Sequence, residues 1–524
     1  MEIMRRTSVV HTSIKLRARW CCAQAATLHR RPGAALLLLV LGALPASLYG
    51  QSSGAAREPV TTIDTVAMRA DTRVLAADSL GGRGTGSAGA QAAARYIAER
   101  LRGLGLRPVG DDFLHAVPLR AARATAATRL VLRHGTDSAA FRHGNDFVQG
   151  NGGARAFRDF AGPAIFAGTA GNAGHSLRAT DLGGRVIVLA GMPGDSADRL
   201  MRGWTAAGAA GVIILTGSEA DYEALTDRLG PHRLFVDAAV DEPVWQPDLP
   251  VLIAGPRLAG ALIAGARLPD RAFRGEPFDA IPLDRTVDAL VRVNVTEVAG
   301  DNVVAWVPGS DPALRNELVL YTAHYDHLGI GSPDEAGDSI YNGFSDNAAG
   351  VAMLLAIADV VRREPPPRSV AFLFLTGEER GLLGASYAAA RPPWPLERIR
   401  ALINLDAGAP PVAPVSWRIA GALGTSLGER ADSLARANGW TLQLSAARPN
   451  SDYWPFNRRG VPTAFIIPGN EWENTSTSER DALRERWDRY HHRDDEWHAD
   501  FPFAGLARYA SFALQLGLRS AGVR

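Results

Sequence analysis

The chain has 524 residues, 46% hydrophobic and 21% charged, an ordinary globular composition with apolar material for two or three domains. Its formal charge is +1, from 56 basic and 55 acidic side chains, so no net field favours a nucleic acid or an anionic membrane. Lys15, Cys21 and Cys22 are its only lysine and cysteines. The remainder therefore excludes thiol nucleophiles, disulfides, thiolate metal centres, lysine Schiff bases and a phosphate-cradling lysine loop.

Residues 1–33 are rich in arginine and precede the apolar run Ala34–Leu44. As a helix this run spans about 16 Å, against about 30 Å for a hydrocarbon core. That length suits the apolar part of an export signal, and residues 1–50 are read as one. The expectation is a periplasmic or extracellular protein with no stable membrane association once the signal is removed. The alternative is an uncleaved N-terminal anchor.

From Thr61 to about Gly105 the apolar spacing is helical. Gly82-Arg-Gly-Thr-Gly-Ser-Ala-Gly89 contains a formal G-x-G-x-x-G, but it follows a helical pattern rather than a strand. It reads as an interhelical loop lining a pocket and not as a dinucleotide site. Residues 150–270 change texture. Gly183–Ala190 reads as a turn and a buried strand, Trp204–Leu215 as a small-residue helix and a strand, and Pro250–Ala254 as a third strand. This region, with His175 and His232 and no cluster of ligand residues, reads as a separate small β-rich module. "DLGGRVIVLAG" followed by "AAGAAGVIIL" resembles a protease-associated domain.

Beyond Gly300, apolar runs at Glu317–Ala323, Ser369–Thr376, Ile399–Leu405 and Thr463–Pro468 are separated by helical segments such as Asn347–Arg362. Runs that are apolar throughout indicate strands covered on both faces, hence an α/β fold with a mostly parallel central sheet. Ligands bind beyond the carboxyl ends of such strands. There stand His324-Tyr-Asp326 with His327, then Glu378-Glu379, then Asp406. A helix start supplies Asp346, and Tyr490–Trp497 supplies further imidazoles and carboxylates. Each has a bland reading alone: Asp346 as a helix cap, Glu378-Glu379 as a solvated pair, His324 as a core histidine. Together, packed carboxylates repel unless cations neutralise them, and two histidines with several carboxylates suit zinc or a similar divalent ion. A carboxylate bridging two cations is the usual frame of a two-metal hydrolytic site, with another carboxylate to move the proton.

"TAHYDHLG", "NGFSDNAAG", "LTGEERGLLGA", "NLDAGA", "SDYWPF" and "YHHRDDEW" resemble the successive motifs of the co-catalytic di-zinc aminopeptidases, a family that includes glutamate carboxypeptidases and glutaminyl cyclases. The resemblance implies residues 57–148 and 286–524 as the peptidase domain, with 149–285 as an inserted protease-associated domain. It implies two zinc ions per chain: His324 and Asp406 on one, Glu379 and His491 on the other, and Asp346 bridging. Glu378 would be general base and then acid towards a water activated by both metals, and Tyr490 a donor to the oxyanion. Asp326 would orient His324, with Asp452 and Asp495 in supporting positions. His492 is the alternative register to His491. His327 and His498 are assigned to outer or surface positions. The implied activity is removal of N-terminal residues from peptide substrates. The alternatives are a carboxypeptidase or cyclase on the same scaffold, or a non-catalytic receptor-like ectodomain.

Overall fold

Four apolar runs make the centre of a nine-stranded sheet. Ser369–Leu375, Leu318–His324, Ile399–Leu405 and Thr463–Pro468 lie side by side and parallel. The computed structural model describes residues 62–170, 177, 182–192, 197–237 and 248–523. The export segment read at 1–50 and His175 lie outside the described residues.

Antiparallel strands flank the parallel centre. On one side Asp301–Val307 pairs with Ser369–Leu375 and carries Arg107–Pro108 and Leu114–Ala116. On the other, Ser416–Ala420 runs against Thr463–Pro468 and parallel to Thr441–Ser445. Both faces are covered, which is why these runs are mostly apolar on both faces instead of alternating. Val319, Tyr321 and Ala323 face helices Thr65–Leu75, Ala88–Gly103, Ala349–Arg363, Ser426–Ala437 and Ala504–Ser520. Leu318 and Leu320 face helices Leu383–Ala390 and Tyr453–Asn457. The packing is close: a β-carbon at Gly517 would stand 1.7 Å from the Tyr321 hydroxyl, which donates to Ala513 O at 3.1 Å. Among the described residues one helical stretch, Phe344–Arg363, is long and apolar enough to cross a membrane, and it is buried in this core.

A second sheet of eight strands runs in the order Asp137–Arg142, Arg129–His134, Ile281–Leu290, Phe160–Phe166, Val186–Ala190, Gly211–Leu215, Val251–Ala254, Phe147–Gln149. The strands expected around residues 183–190, 211–215 and 250–254 are all present. The boundary expected at 149 falls inside this sheet, which begins at Arg129 and ends at Leu290. Arg129–His134 and Asp137–Arg142 form a hairpin whose outer partner is the distant Ile281–Leu290, so no local pattern assigns it to the insert. The sheet therefore also brings His134 and His143 into this module. A three-stranded sheet, Arg233–Val236, Leu119–Ala124 and Val293–Val298, joins the module to the strands that lead back into the larger sheet.

Candidate metal centre

Parallel strands end on one rim, and the rim collects the chemistry. His324 is the last residue of Leu318–His324 and pairs with Leu375, three residues before Glu378. Asp406 follows Leu405 directly. Asp346 lies in the turn of helix Phe344–Ala348 that precedes the buried helix Ala349–Arg363.

Two groups of donors form around Asp346. His324 Nε2 lies 2.8 Å from Asp406 Oδ1 and 3.2 Å from Asp346 Oδ1. On the other side His491 Nε2 lies 3.0 Å from Asp346 Oδ2 and 3.3 Å from Glu379 Oε1. His492 makes no such approach among the described contacts. His327, assigned from sequence to an outer position, belongs instead to the second group: Nδ1 lies 2.8 Å from Glu379 Oε1. The "HYDH" strand end carries a second imidazole three residues on, and that doubling was the available signal.

Asp326 holds the His324 ring through its backbone carbonyl, 3.0 Å from Nδ1, rather than through its carboxylate, which is 3.8 Å away. The carboxylate is turned elsewhere: it accepts from the Thr85 hydroxyl at 2.5 Å and from the Glu378 N–H at 3.2 Å. Thr85 comes from the glycine-rich segment, which is indeed an interhelical loop. A β-carbon at Gly82 would meet Tyr341 O at 2.4 Å, so the loop passes backbone against backbone. Asp495 accepts from the Ser345 N–H at 2.9 Å and from the Asp346 N–H at 3.2 Å, so it sets the turn that presents Asp346. Tyr490 stacks on the His491 ring with centroids 3.8 Å apart and is 59% exposed.

Sequence reading missed three features. Arg83, fully buried, donates to the carbonyls of Leu75, Tyr325, Asn342 and Gly343 and so ties the loop to the rim. A hydroxyl–amide chain runs from Thr322 to Asn404 (2.7 Å), on to Ser451 (2.7 Å), and then to Asp406. Thr322 and Asn404 are polar breaks in apolar runs, a visible signal. The third is Asp227, from the inserted module, which accepts from Ser332 N–H at 2.6 Å and from Arg493 at 3.2 Å.

The electrostatics follow from burying several carboxylates together. Burial would raise the Glu379 carboxyl and Asp346 would raise it further, but His327 and His491 hold it down at about 2. Burial opposes charge on Asp346 too, and His324 and His491 keep it well below the usual range. Burial lowers His491, but Asp346 and Glu379 carry it up to about 9. Glu378 and Asp452 are opposite: burial, reinforced by Asp406, pushes both well above the usual carboxyl range.

These residues fit divalent cations. Asp346 Oδ2, Glu379 Oε1, His491 Nε2 and His327 Nδ1 are buried, close together and without an aligned hydrogen bond. Buried polar atoms rarely remain so. Atoms that converge on a common point instead of aiming at one another are arranged as ligands, and the nitrogen and carboxylate set suits zinc.

Residues 302–516 match the family model described as Peptidase family M28. This part of the chain is similar to peptidase family M28. The chain is 29% identical over 163 residues to Aminopeptidase YwaD of Bacillus subtilis, covering 29% of this chain and 32% of that protein. It is 35% identical over 114 residues to a probable zinc metalloprotease of Pyrenophora teres f. teres, covering 22% of this chain and 23% of that protein. The chain thus spans about a quarter of the length of such curated relatives. In fold it is similar to an aminopeptidase from Aneurinibacillus sp. strain AM-1, with a TM-score of 0.52 at 18% identity over 87% of this chain and 93% of that one.

Proposed function

We propose that the protein is a zinc-dependent aminopeptidase that removes N-terminal residues from peptides. The observation that carries the reading is the convergence of His324, Asp346, Glu379, Asp406 and His491 as two donor groups sharing Asp346, with Asp346 Oδ2, Glu379 Oε1 and His491 Nε2 buried and unsatisfied by hydrogen bonds. His324 and Asp406 would hold one cation, Glu379 and His491 the other, and Asp346 both. When bound, the two ions supply Lewis acidity towards the scissile carbonyl and lower the pKa of water.

The chain's own residues do the rest. Glu378 is the general base and then the general acid: its raised proton affinity suits a carboxyl that must take a proton and return it to the leaving amine. Its backbone is held by Asp326, which also holds His324, so base and ligand are positioned from one residue. Asp452 is buried in the field of Asp406 and Glu378, and burial raises its proton affinity well above that of an ordinary carboxyl. Tyr490 stands at the open side of His491, where its hydroxyl can donate to the oxygen that gains charge.

The module from Arg129 to Leu290 is assigned as a protease-associated insert, supported by its four parallel strands with intervening helices and its place within the peptidase chain. Residues 1–50 are assigned as an export signal on their composition, placing the enzyme in the periplasm or outside the cell. The test is Glu378→Gln on the zinc-loaded protein, with free-amine and N-blocked peptide substrates. Expected are zinc content equal to the wild type, turnover of free-amine substrates only, and a fall in kcat of about 10²- to 10⁴-fold in the variant. Near-normal turnover in the variant overturns the assignment of Glu378, and preference for N-blocked peptides overturns the aminopeptidase reading.

A further inference from the structure

His327 is 0% exposed, yet neither ring nitrogen makes an aligned hydrogen bond. A buried neutral imidazole normally donates from one nitrogen and accepts at the other. The ring has little freedom to turn away: Gly343, with φ of 60°, packs so closely that a β-carbon there would lie 2.6 Å from His327 Cγ and Cδ2. Its Nδ1 is directed into the second donor group.

The distances within that group are informative. His327 Nδ1 is 2.8 Å from Glu379 Oε1 and 3.6 Å from Asp346 Oδ2. His491 Nε2 is 3.3 Å from the same Glu379 oxygen and 3.0 Å from the same Asp346 oxygen. Four ligand atoms at about 2.0–2.1 Å from one tetrahedral zinc stand about 3.3 Å apart. The four measured separations scatter around that edge, and they join two nitrogens to two oxygens without any nitrogen–oxygen pair left out. The first group differs. It has His324, Asp346 and Asp406 and no fourth titratable donor at comparable distance among the described residues.

We infer that His327 is a fourth protein donor for the cation shared by Asp346, Glu379 and His491. The inference rests on the two-cation reading above and adds an asymmetry to it. That position would have four protein donors, Glu379, His491, His327 and Asp346, and the other three, His324, Asp406 and Asp346, with more room for solvent or a peptide atom. The four-donor set has two imidazoles and therefore favours zinc, while the three-donor set is richer in oxygen and accepts harder divalent ions more readily. The two positions should thus differ in how firmly they hold zinc.

The experiment uses the full-length zinc-loaded protein, dialysed against increasing chelator with zinc counted per chain. Expected is loss in two stages, one zinc leaving first and one remaining. X-ray absorption on the wild type holding only the remaining zinc should count two imidazoles. In His327→Gln the remaining zinc should be bound at least tenfold more weakly, merging the two stages, and His327→Cys, which restores a donor, should separate them again. One imidazole in the wild-type spectrum, or wild-type retention in His327→Gln, overturns the inference and leaves His327 as a hydrogen-bond donor to Glu379. A wild-type protein that holds no zinc overturns this inference together with the two-cation reading. The spectrum needs no variant, so a variant that fails to fold does not remove the test.

Discussion

Asp227 and Arg493 meet at 3.2 Å across the junction between the inserted module and the peptidase domain. Arg493 is two residues beyond His491, and its guanidinium lies 4.7 Å over the Tyr341 ring. Asp227 also accepts from the Tyr341 hydroxyl at 3.2 Å and from the Ser332 N–H at 2.6 Å. One carboxylate of the insert thus anchors both the segment that carries His491 and the hairpin after "HYDHLG".

Asp227→Ala should release these two segments without disturbing either core. The backbone N–H of Ser332 and the guanidinium lose a partner in a partly buried setting, at a cost of about 1–3 kcal/mol. Hydrogen exchange should show protection falling in residues 328–341 and 489–497 while the central strands keep theirs. Unchanged exchange in both segments would show that the anchor carries no weight.

Arg83→Met should be among the most damaging single changes. The guanidinium is buried, donates to four carbonyls from three parts of the chain, and sits in the field of Asp346, Asp495 and Asp326. Burial lowers its pKa only to about 10, so it stays charged at neutral pH. Leaving four buried carbonyls unpaired should cost about 3 kcal/mol or more, read from denaturant unfolding. Arg83→Lys should recover only part, because one ammonium cannot reach three segments at once.

Asp495→Asn tests the support of Asp346. The carboxylate receives the N–H groups of both Ser345 and Asp346, and burial raises its pKa to about 6. The amide keeps one acceptor oxygen and loses the charge. Metal affinity should fall about 10- to 100-fold with little change in melting temperature, measured by zinc retention against chelator. A variant that retains zinc like the wild type would place Asp495 outside the support of the centre.

His143 makes stability depend on pH. Burial, with Arg233 nearby, pushes its imidazole from the ordinary 6.5 down to about 4. The folded chain therefore binds fewer protons than the unfolded chain between these values. The stabilising contribution is complete above pH 6.5 and is lost as pH falls towards 4. The upper bound is about 3.5 kcal/mol, from a shift of about 2.5 pH units at about 1.4 kcal/mol each, and less for a partly buried ring. Unfolding of wild type and His143→Gln at pH 7 and pH 4.5 should show the smaller acid loss in the variant.

The candidate site was more legible than the frame around it. His324, Glu378, Glu379 and Asp406 follow apolar runs directly, so strand propensity and the parallel rule bring them to one rim. Asp326 was legible as the residue that orients His324 but not in the atom that does so, since only the folded loop shows its carboxylate committed to Thr85 and its carbonyl to His324. The hairpin Arg129–Arg142 is less legible, because its partner strand Ile281–Leu290 lies about 150 residues further on.

Alone, the amino-acid order determined which segments could be buried, that the central strands had to be covered on both faces, and that any chemistry must come from imidazoles, carboxylates, hydroxyls or a metal they hold. These follow from composition and periodicity, which are local. Only the tertiary structure decided that His327 turns inward to Glu379, that Arg83 ties the glycine-rich loop to the rim, and that Asp227 reaches across from the insert. Such pairings depend on direction and distance between segments far apart in the chain, and no local pattern carries that information.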